Sequence, residues 1–418
     1  MADGGPRLAV FSTLFPHPGQ PSAGLFIRER MFRVGRQLPL VVVSPQPWFP
    51  FQSWLRRWRP HFRPDAPRYE VQDGVPVYRP RFLSVPGFFK SLDGLSMAVG
   101  SYLTLRRLRR DPGVTVLDAH FAYPDGYAAT RLGRWLGVPV TITLRGTEVP
   151  HSTQPRLRAR LVRALQAAQR VFAVSESLRR HAVSLGIPGE KIRVVGNGVD
   201  TDRFRPMDRQ QARRRHGLPP EARVLVSVGA LVERKGFHRV IECLPELLAR
   251  EPHLRYLVVG GASPEGDMGA ELRAQVRRLG LDRQVLFLGP VPPDALKWPL
   301  SAADVFVLAT RNEGWANVFL EAMACGLPVV TTDVGGNAEV VCRPELGRVV
   351  PYGDAQALTA ALGSALEQDW DREAIRAYAL ANSWESRVSA LVEEFTALAG
   401  DAPQAASARQ PAFGSGTQ

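Results

Sequence analysis

Two carboxylates and one cation stand out by type and spacing. Glu313 and Glu321 flank the segment GWANVFL, where an apolar β-branched run ending at Thr310 passes through a short polar loop into a helix-forming stretch closed by Gly326 and Pro328. Doubly wound α/β folds hold phosphates at such a strand-to-helix junction, because backbone N–H groups and the helix dipole favour an anion there. Carboxylates beside that position would repel phosphate unless they face neutral hydroxyls, and a sugar on one side with a ribose on the other would supply them. A second junction, LVSVGALVERKGF, sets Arg234 and Lys235 just before another helix. The chain has only four lysines (Lys90, Lys191, Lys235 and Lys297) against 49 arginines. A lysine kept in that background points to a compact point charge rather than a planar fork, as a phosphate cradle needs. Taken out of this setting, an E-x7-E pair or a basic pair is usually a solvated helix face or turn.

The junctions belong to a repeating pattern. Short β-branched runs at 8–12, 40–44, 75–78, 114–119, 140–144, 171–175 and 192–195 alternate with segments of helical period. A second series follows at 224–228, 256–260, 285–288, 305–308, 329–332 and 348–350. Most are apolar on both faces, as strands of a parallel sheet covered by helices are. The pattern predicts two doubly wound α/β domains. The first spans 1–196, a linker rich in turn residues spans 197–206, and the second spans 207–383. Residues 401–418 read as a disordered low-complexity tail.

Composition narrows the function classes. With 418 residues, 45% hydrophobic and 22% charged, the chain is long enough for two packed cores and too apolar for wholesale disorder. Cys243, Cys325 and Cys342 are widely spaced without a Cys-x-x-Cys, which reads as reduced core thiols in a cytosolic protein. No secretory signal is read at the N-terminus, and no apolar run reaches the length of a membrane span. The net charge of +13 favours anionic partners. The arginine clusters 106–110 and 156–170 read as solvated helix faces rather than a nucleic-acid surface. Segments 47–63 and 86–90 interleave Trp and Phe with Arg and Lys, a pattern suited to an anionic membrane surface. Asp200-Thr201-Asp202 spells D-x-D but lies in the linker without an evident third ligand, so no metal site is read there.

Over nearly its whole length, to about residue 395, the chain resembles the retaining family-4 glycosyltransferases (glycosyl transferases group 1). The likeness is densest in NEGWANVFLEAMACGLPVVTTDVGGNAEVV, VGALVERKGF and VVGNGVDTDRF. It implies the GT-B fold, two facing Rossmann-like domains with a cleft between them, and a final helix, 384–398, that returns to the first domain. It also implies transfer of a sugar from a nucleotide-diphospho-sugar, UDP or GDP, with retention and no cofactor or obligatory metal. By the same resemblance, Glu313 contacts the donor sugar, Glu321 holds the ribose, and backbone around Ala316, Asn317 and Val318 holds the sugar and diphosphate. Lys235 steadies the leaving phosphate, Val291 lines the base pocket, and Gly24 in the small-residue loop 22–24 faces the diphosphate.

Two positions depart from the family pattern. The arginine that often follows the glycine of the first strand of the second domain is here Ala230, and Arg234 is a candidate for the missing charge. Where many members have His-Gly, this chain has Arg145-Gly146; an arginine cannot serve as an acid or base at neutral pH, so Arg145 is expected to act electrostatically. His120, after another parallel strand, is a candidate sugar contact, although an isolated histidine is more often structural. The expected protein is a cytoplasmic transferase, peripheral on the inner face of the plasma membrane, acting on a lipid-linked saccharide or glycolipid in bacterial exopolysaccharide, capsule or lipopolysaccharide synthesis. The alternatives are a nucleotide-sugar epimerase of the same fold and a non-catalytic scaffold relative.

Overall fold

The computed structural model describes residues 5–400 other than Ser22, Phe51, 59–61 and Pro264, and it leaves the side chains of Arg56 and Trp58 undescribed. The expected disordered tail therefore lies outside the described residues. In chain order the strands are β1 (Leu8–Phe11), β2 (Leu40–Val43), β3 (Gln46–Trp48), β4 (Tyr69–Gln72), β5 (Val75–Tyr78), β6 (Arg81–Leu83), β7 (Val116–His120), β8 (Val140–Leu144), β9 (Arg170–Ala173) and β10 (Ile192–Val194). They continue as β11 (Val224–Val228), β12 (Arg255–Val259), β13 (Val285–Gly289), β14 (Val305–Leu308), β15 (Val329–Thr332) and β16 (Gly347–Val350). The chain folds as two compact units, one comprising 5–142, Ala159–Arg170 and 391–400, the other Thr143–Arg158 and Val171–Ala390.

The second unit contains a six-stranded parallel sheet ordered β13-β12-β11-β14-β15-β16. Its two faces bury alternate residues of each strand. Val224, Val226, Phe306 and Leu308 enter one core layer, while Leu225, Val305 and Val307 enter the other. This is the burial on both sides that the continuous apolar runs predict. The buried hydroxyl of Ser227 donates to the Val307 carbonyl (2.5 Å) and accepts from Tyr256 (2.7 Å), so polarity inside the sheet is satisfied. Chain order reverses direction between β11 and β14. The C-terminal ends of strands at such a reversal are the usual ligand position in open α/β sheets.

The other sheet has eight strands in the order β10-β9-β8-β7-β1-β2-β5-β4, and β1 again marks the reversal, flanked in parallel by β2 and β7. β4 pairs antiparallel with β5 through Asp73-Gly74, both at positive φ. Sequence reading passes over β4 and the short parallel pair β3–β6. Within the aromatic and basic segment 47–63 lies helix α2 (Gln52–Trp58). Helix α1 (Leu25–Val34) follows Gly24, and α3 (Asp93–Arg110) buries Met97, Ala98, Ser101, Leu105 and Leu108 on one face. The final helix, Trp384–Gly400, starts in the second unit and belongs to the first from Leu391 on. At its start, Val199 of the expected linker bridges to Ser383. Cys243 and Cys325 are buried, but Cys342 is exposed, which corrects the reading of all three as core thiols; it lies on a turn after a helix of only four residues, Asn337–Val340.

Candidate active site

The site grows from the reversal between β11 and β14. After β11 the chain makes a short helical turn, Glu233–Lys235, and enters the helix Phe237–Arg250 through Gly236. Gly236 has φ +77°, and a Cβ there would lie 1.8 Å from the Ala309 carbonyl, so only glycine lets the two loops approach this closely. The Arg234 carbonyl accepts the Arg311 N–H (2.7 Å) and the Thr310 hydroxyl (2.8 Å), which ties the loop after β11 to the loop after β14. Within that frame one carboxylate oxygen, Glu313 Oε1, accepts from Lys235 Nζ at 2.5 Å and Arg234 at 3.2 Å, with Thr310 Oγ1 lying 3.3 Å away. The two junctions singled out in the sequence are thus one site.

Arg234 also forks onto Glu265 at 2.6 and 2.8 Å. That hydrogen bonding raises the Arg234 pKa, and the guanidinium in turn lowers that of Glu265. Arg234 is therefore shared between two carboxylates, while Ala230, beside it, adds no charge.

Glu313 is positioned by backbone packing. Gly335, at φ +55°, would put a Cβ 1.7 Å from the Glu313 carbonyl, and Gly336 one 2.6 Å from the Gly314 carbonyl. Gly314 in turn has the Arg145 carbonyl 2.3 Å from its would-be Cβ. The Arg145–Gly146 turn is fixed by Glu148, whose buried carboxylate accepts both N–H groups at 3.1 and 2.8 Å. The Arg145 guanidinium donates to Asn197 Oδ1 (3.4 Å), and Asn197 Nδ2 donates to Asn317 Oδ1 (2.7 Å). This relay brings Arg145 to the start of the helix Asn317–Ala324, where Phe319 N–H bonds the Ala316 carbonyl (3.1 Å) and the N–H groups of Asn317 and Val318 come too early for an intrahelical acceptor. Ala316 caps that helix and is buried, Asn317 and Val318 open it, and Glu321 stands on its second turn. Val291 follows β13 and packs on the core layer beneath.

The structure thus brings Lys235, Arg234, Glu313 and the Ala316–Val318 turn together, with Arg145 joined through Asn197. Gly24 and His120 belong to the other unit. Gly24, at φ +70°, starts α1, and a Cβ there would lie 2.3 Å from the Leu14 carbonyl. Ser22 lies outside the described residues. His120 ends β7 fully buried, its Nε2 3.3 Å from Asp118, which also accepts from Thr141 at 2.6 Å. Asp200 of the D-x-D accepts the Arg203 N–H at 3.0 Å and so stabilises a turn. Sequence reading misses Glu148, Asn197, Glu265 and Glu339, the last of which accepts the N–H groups of Glu176 (2.6 Å) and Ser177 (2.7 Å). It also misses Trp315, whose ring covers Gly196.

A Rossmann-type six-stranded sheet, a second doubly wound sheet and this reversal-point site describe a GT-B glycosyltransferase. Solved structures show the fold: Anabaena Alr3699/HepE in complex with UDP matches with a TM-score of 0.71 at 20% identity, over 94% of this chain and 100% of that one. The family model Glycosyltransferase Family 4 matches residues 60–203, and Glycosyl transferases group 1 matches residues 208–381. A Bacillus subtilis (strain 168) glycosyltransferase named for teichuronic acid biosynthesis, TuaC, is 29% identical over 85% of this chain and 88% of its own length. A GDP-mannose-dependent alpha-(1-6)-phosphatidylinositol monomannoside mannosyltransferase of Mycolicibacterium smegmatis is 34% identical over 61% of this chain and 69% of its own. The chain belongs to the glycosyl transferases group 1 family and is a glycosyltransferase.

Proposed function

We propose that the protein transfers a hexose or related sugar from a nucleotide-diphospho-sugar, UDP- or GDP-linked, to a lipid-linked saccharide or glycolipid during bacterial envelope polysaccharide synthesis, with retention at the anomeric carbon. The observation that carries this reading is the Lys235–Glu313 contact beside a helix N-terminus at the sheet reversal. An anionic diphosphate arriving there competes for Lys235 and leaves Glu313 to accept hydrogen bonds from sugar hydroxyls. Lys235 and the helix N-terminus then meet the charge that grows on the departing phosphate oxygen. Donors fixed in advance at such a position contribute a few kcal/mol each to lowering a barrier. Arg145 adds positive charge but no proton transfer; the leaving phosphate oxygen takes the acceptor proton, as front-face retention allows. Glu321 receives the ribose, and Val291 lines the base. No metal or cofactor is required by this scheme.

The named relatives support the donor and acceptor classes: one is GDP-mannose-dependent and acts on a phosphatidylinositol glycoside, and HepE is solved with UDP. Among the described residues no helix is long and apolar enough to cross a membrane. We place the protein in the cytoplasm, on the inner face of the plasma membrane, held there by 47–63 and 86–90. Trp48, Trp54, Phe88 and Phe89 of those segments are exposed, whereas Phe49 packs edge-on against Phe62 beneath Arg63.

The test is a thermal-shift panel with UDP, GDP, ADP and dTDP on the wild type and Lys235→Ala. A ligand at a hundredfold its Kd stabilises the folded state by about 2.7 kcal/mol. One nucleotide should shift the wild type and fail to shift the variant; shifts that persist in Lys235→Ala would refute the assigned phosphate site. The anomeric configuration of the product, read by NMR coupling constants, tests retention.

A further inference from the structure

The first unit carries an apolar groove that the sugar chemistry does not use. Its floor is the parallel pair β3–β6, with Trp48 beside Leu83 in register. Its wall is α3, which meets β6 so closely that a Cβ on Gly100 would lie 2.4 Å from the Arg81 carbonyl. A solvated helix face normally carries polar side chains. The outer face of α3 instead presents Leu92 at its N-cap, then Leu95, Val99 and Leu103, spaced three, four and four apart, and Val99 is 63% exposed. Trp48, Phe82, Leu83, Leu92, Leu95 and Val99 enclose a groove of about 720 Å³.

Positive charge rims this groove. Arg68 and Arg81 line it and pair with no carboxylate among the described residues. Near one end, buried Ser84 gathers two more cations: its carbonyl accepts from Arg63 at 2.8 Å and its hydroxyl from Lys90 Nζ at 3.1 Å, and Lys90 is in turn paired with Asp93 at 3.2 Å. Beyond them Phe89 is held 72% exposed at φ +53°, a left-handed conformation that costs a bulky residue energy and is retained only under constraint. An apolar trough edged by unpaired arginines is complementary to one kind of molecule, a hydrocarbon chain with an anionic head.

Resting on the lipid-linked acceptor read above, we propose that this groove binds the hydrocarbon chain of a phosphate-bearing lipid, its phosphate held by Arg68 and Arg81. The groove then measures the tail of the acceptor while the second unit handles the donor.

The test uses octyl, decyl and dodecyl phosphate below their micelle concentrations, with inorganic phosphate and decanol as references, in titration calorimetry on the full chain. Burying one methylene is worth about 0.8 kcal/mol, so each should tighten Kd by up to about fourfold, and inorganic phosphate should not bind. Val99→Glu, at an exposed helix position that a glutamate accepts, should weaken decyl phosphate at least tenfold. The double variant Arg68→Gln/Arg81→Gln should erase the preference for decyl phosphate over decanol. Affinity independent of chain length, or equal binding of phosphate and alcohol by the wild type, overturns the proposal. So does a concentration-dependent dimer abolished by Val99→Glu, which would make a second copy the occupant. The nucleotide thermal shift, measured on the same variants, should be unchanged, so failure of the donor site and failure of the groove are read separately.

Discussion

Asp125 offers the sharpest quantitative test of the fold. It is fully buried after β7, and its carboxylate accepts the Thr13 N–H at 2.5 Å and the Thr13 hydroxyl at 3.2 Å. Burial raises its pKa from 3.8 to about 7, and the Thr13 hydrogen bonds offset only part of that rise. Between about pH 4 and pH 7 the folded chain therefore holds a proton that the unfolded chain has released. Stability from this group is fully present below about pH 4, falls as pH rises through the window and levels off above about pH 7. Three pH units at 1.36 kcal/mol each put the upper bound near 4 kcal/mol. Asp125→Asn keeps an oxygen for the Thr13 N–H and an amide to donate to the Thr13 hydroxyl, but cannot ionise. The variant should match the wild type near pH 4 and exceed its stability at pH 8 by up to about 4 kcal/mol, or about 8–16 °C in Tm at 2–4 °C per kcal/mol. Melting both proteins from pH 4.5 to 8.5 and taking the difference cancels every group they share. A difference that does not change with pH, or a variant less stable than the wild type at pH 8, would refute the reasoning.

Other outcomes follow from the second unit. Glu313→Gln should lower kcat/KM by about two to three orders of magnitude, the usual scale for losing one preorganised polar group, with the fold intact by circular dichroism; full activity would remove Glu313 from the reaction. Gly335→Ala, with its Cβ driven onto the Glu313 carbonyl, should abolish donor binding in the thermal-shift assay more completely than it lowers Tm. Glu339→Ala leaves two backbone N–H groups without their carboxylate and should destabilise by about 1–3 kcal/mol in urea unfolding.

Much of the fold was legible because parallel strands buried on both faces are written as continuous runs: VLVSV, VFVL, VVTT and VTITL are strands residue for residue. The strands passed over lack that signature. QPW and RFL are three residues long and carry Pro47 or Arg81, while YEVQ alternates and lies at the sheet edge. The hairpin joining YEVQ to VPVY did leave a sign, the Asp73-Gly74 turn with both residues at positive φ. At the site, Lys235 and Glu313 were readable because each sits at a strand-to-helix junction of the same sheet. Glu148, Asn197, Glu265 and Glu339 were not. Their roles are to accept backbone N–H groups or to pair with partners distant in the chain, such as Arg234 for Glu265 and Glu176 for Glu339, and no local pattern records such a partner.

The glycine contacts around Glu313 bear on how this enzyme can evolve. At Gly314, Gly335 and Gly336 the neighbour that forbids a side chain is another stretch of main chain, which no compensating substitution can shrink. These positions should stay nearly blank in a saturation-mutagenesis map, leaving the carboxylate locked in place across descendants of the sequence. If the site assigned above is the sugar site, variation that changes which sugar is accepted has to enter through side chains that border it without holding it, Trp315 among them. The chemistry and its specificity are thus separable, one written in backbone and the other in replaceable side chains.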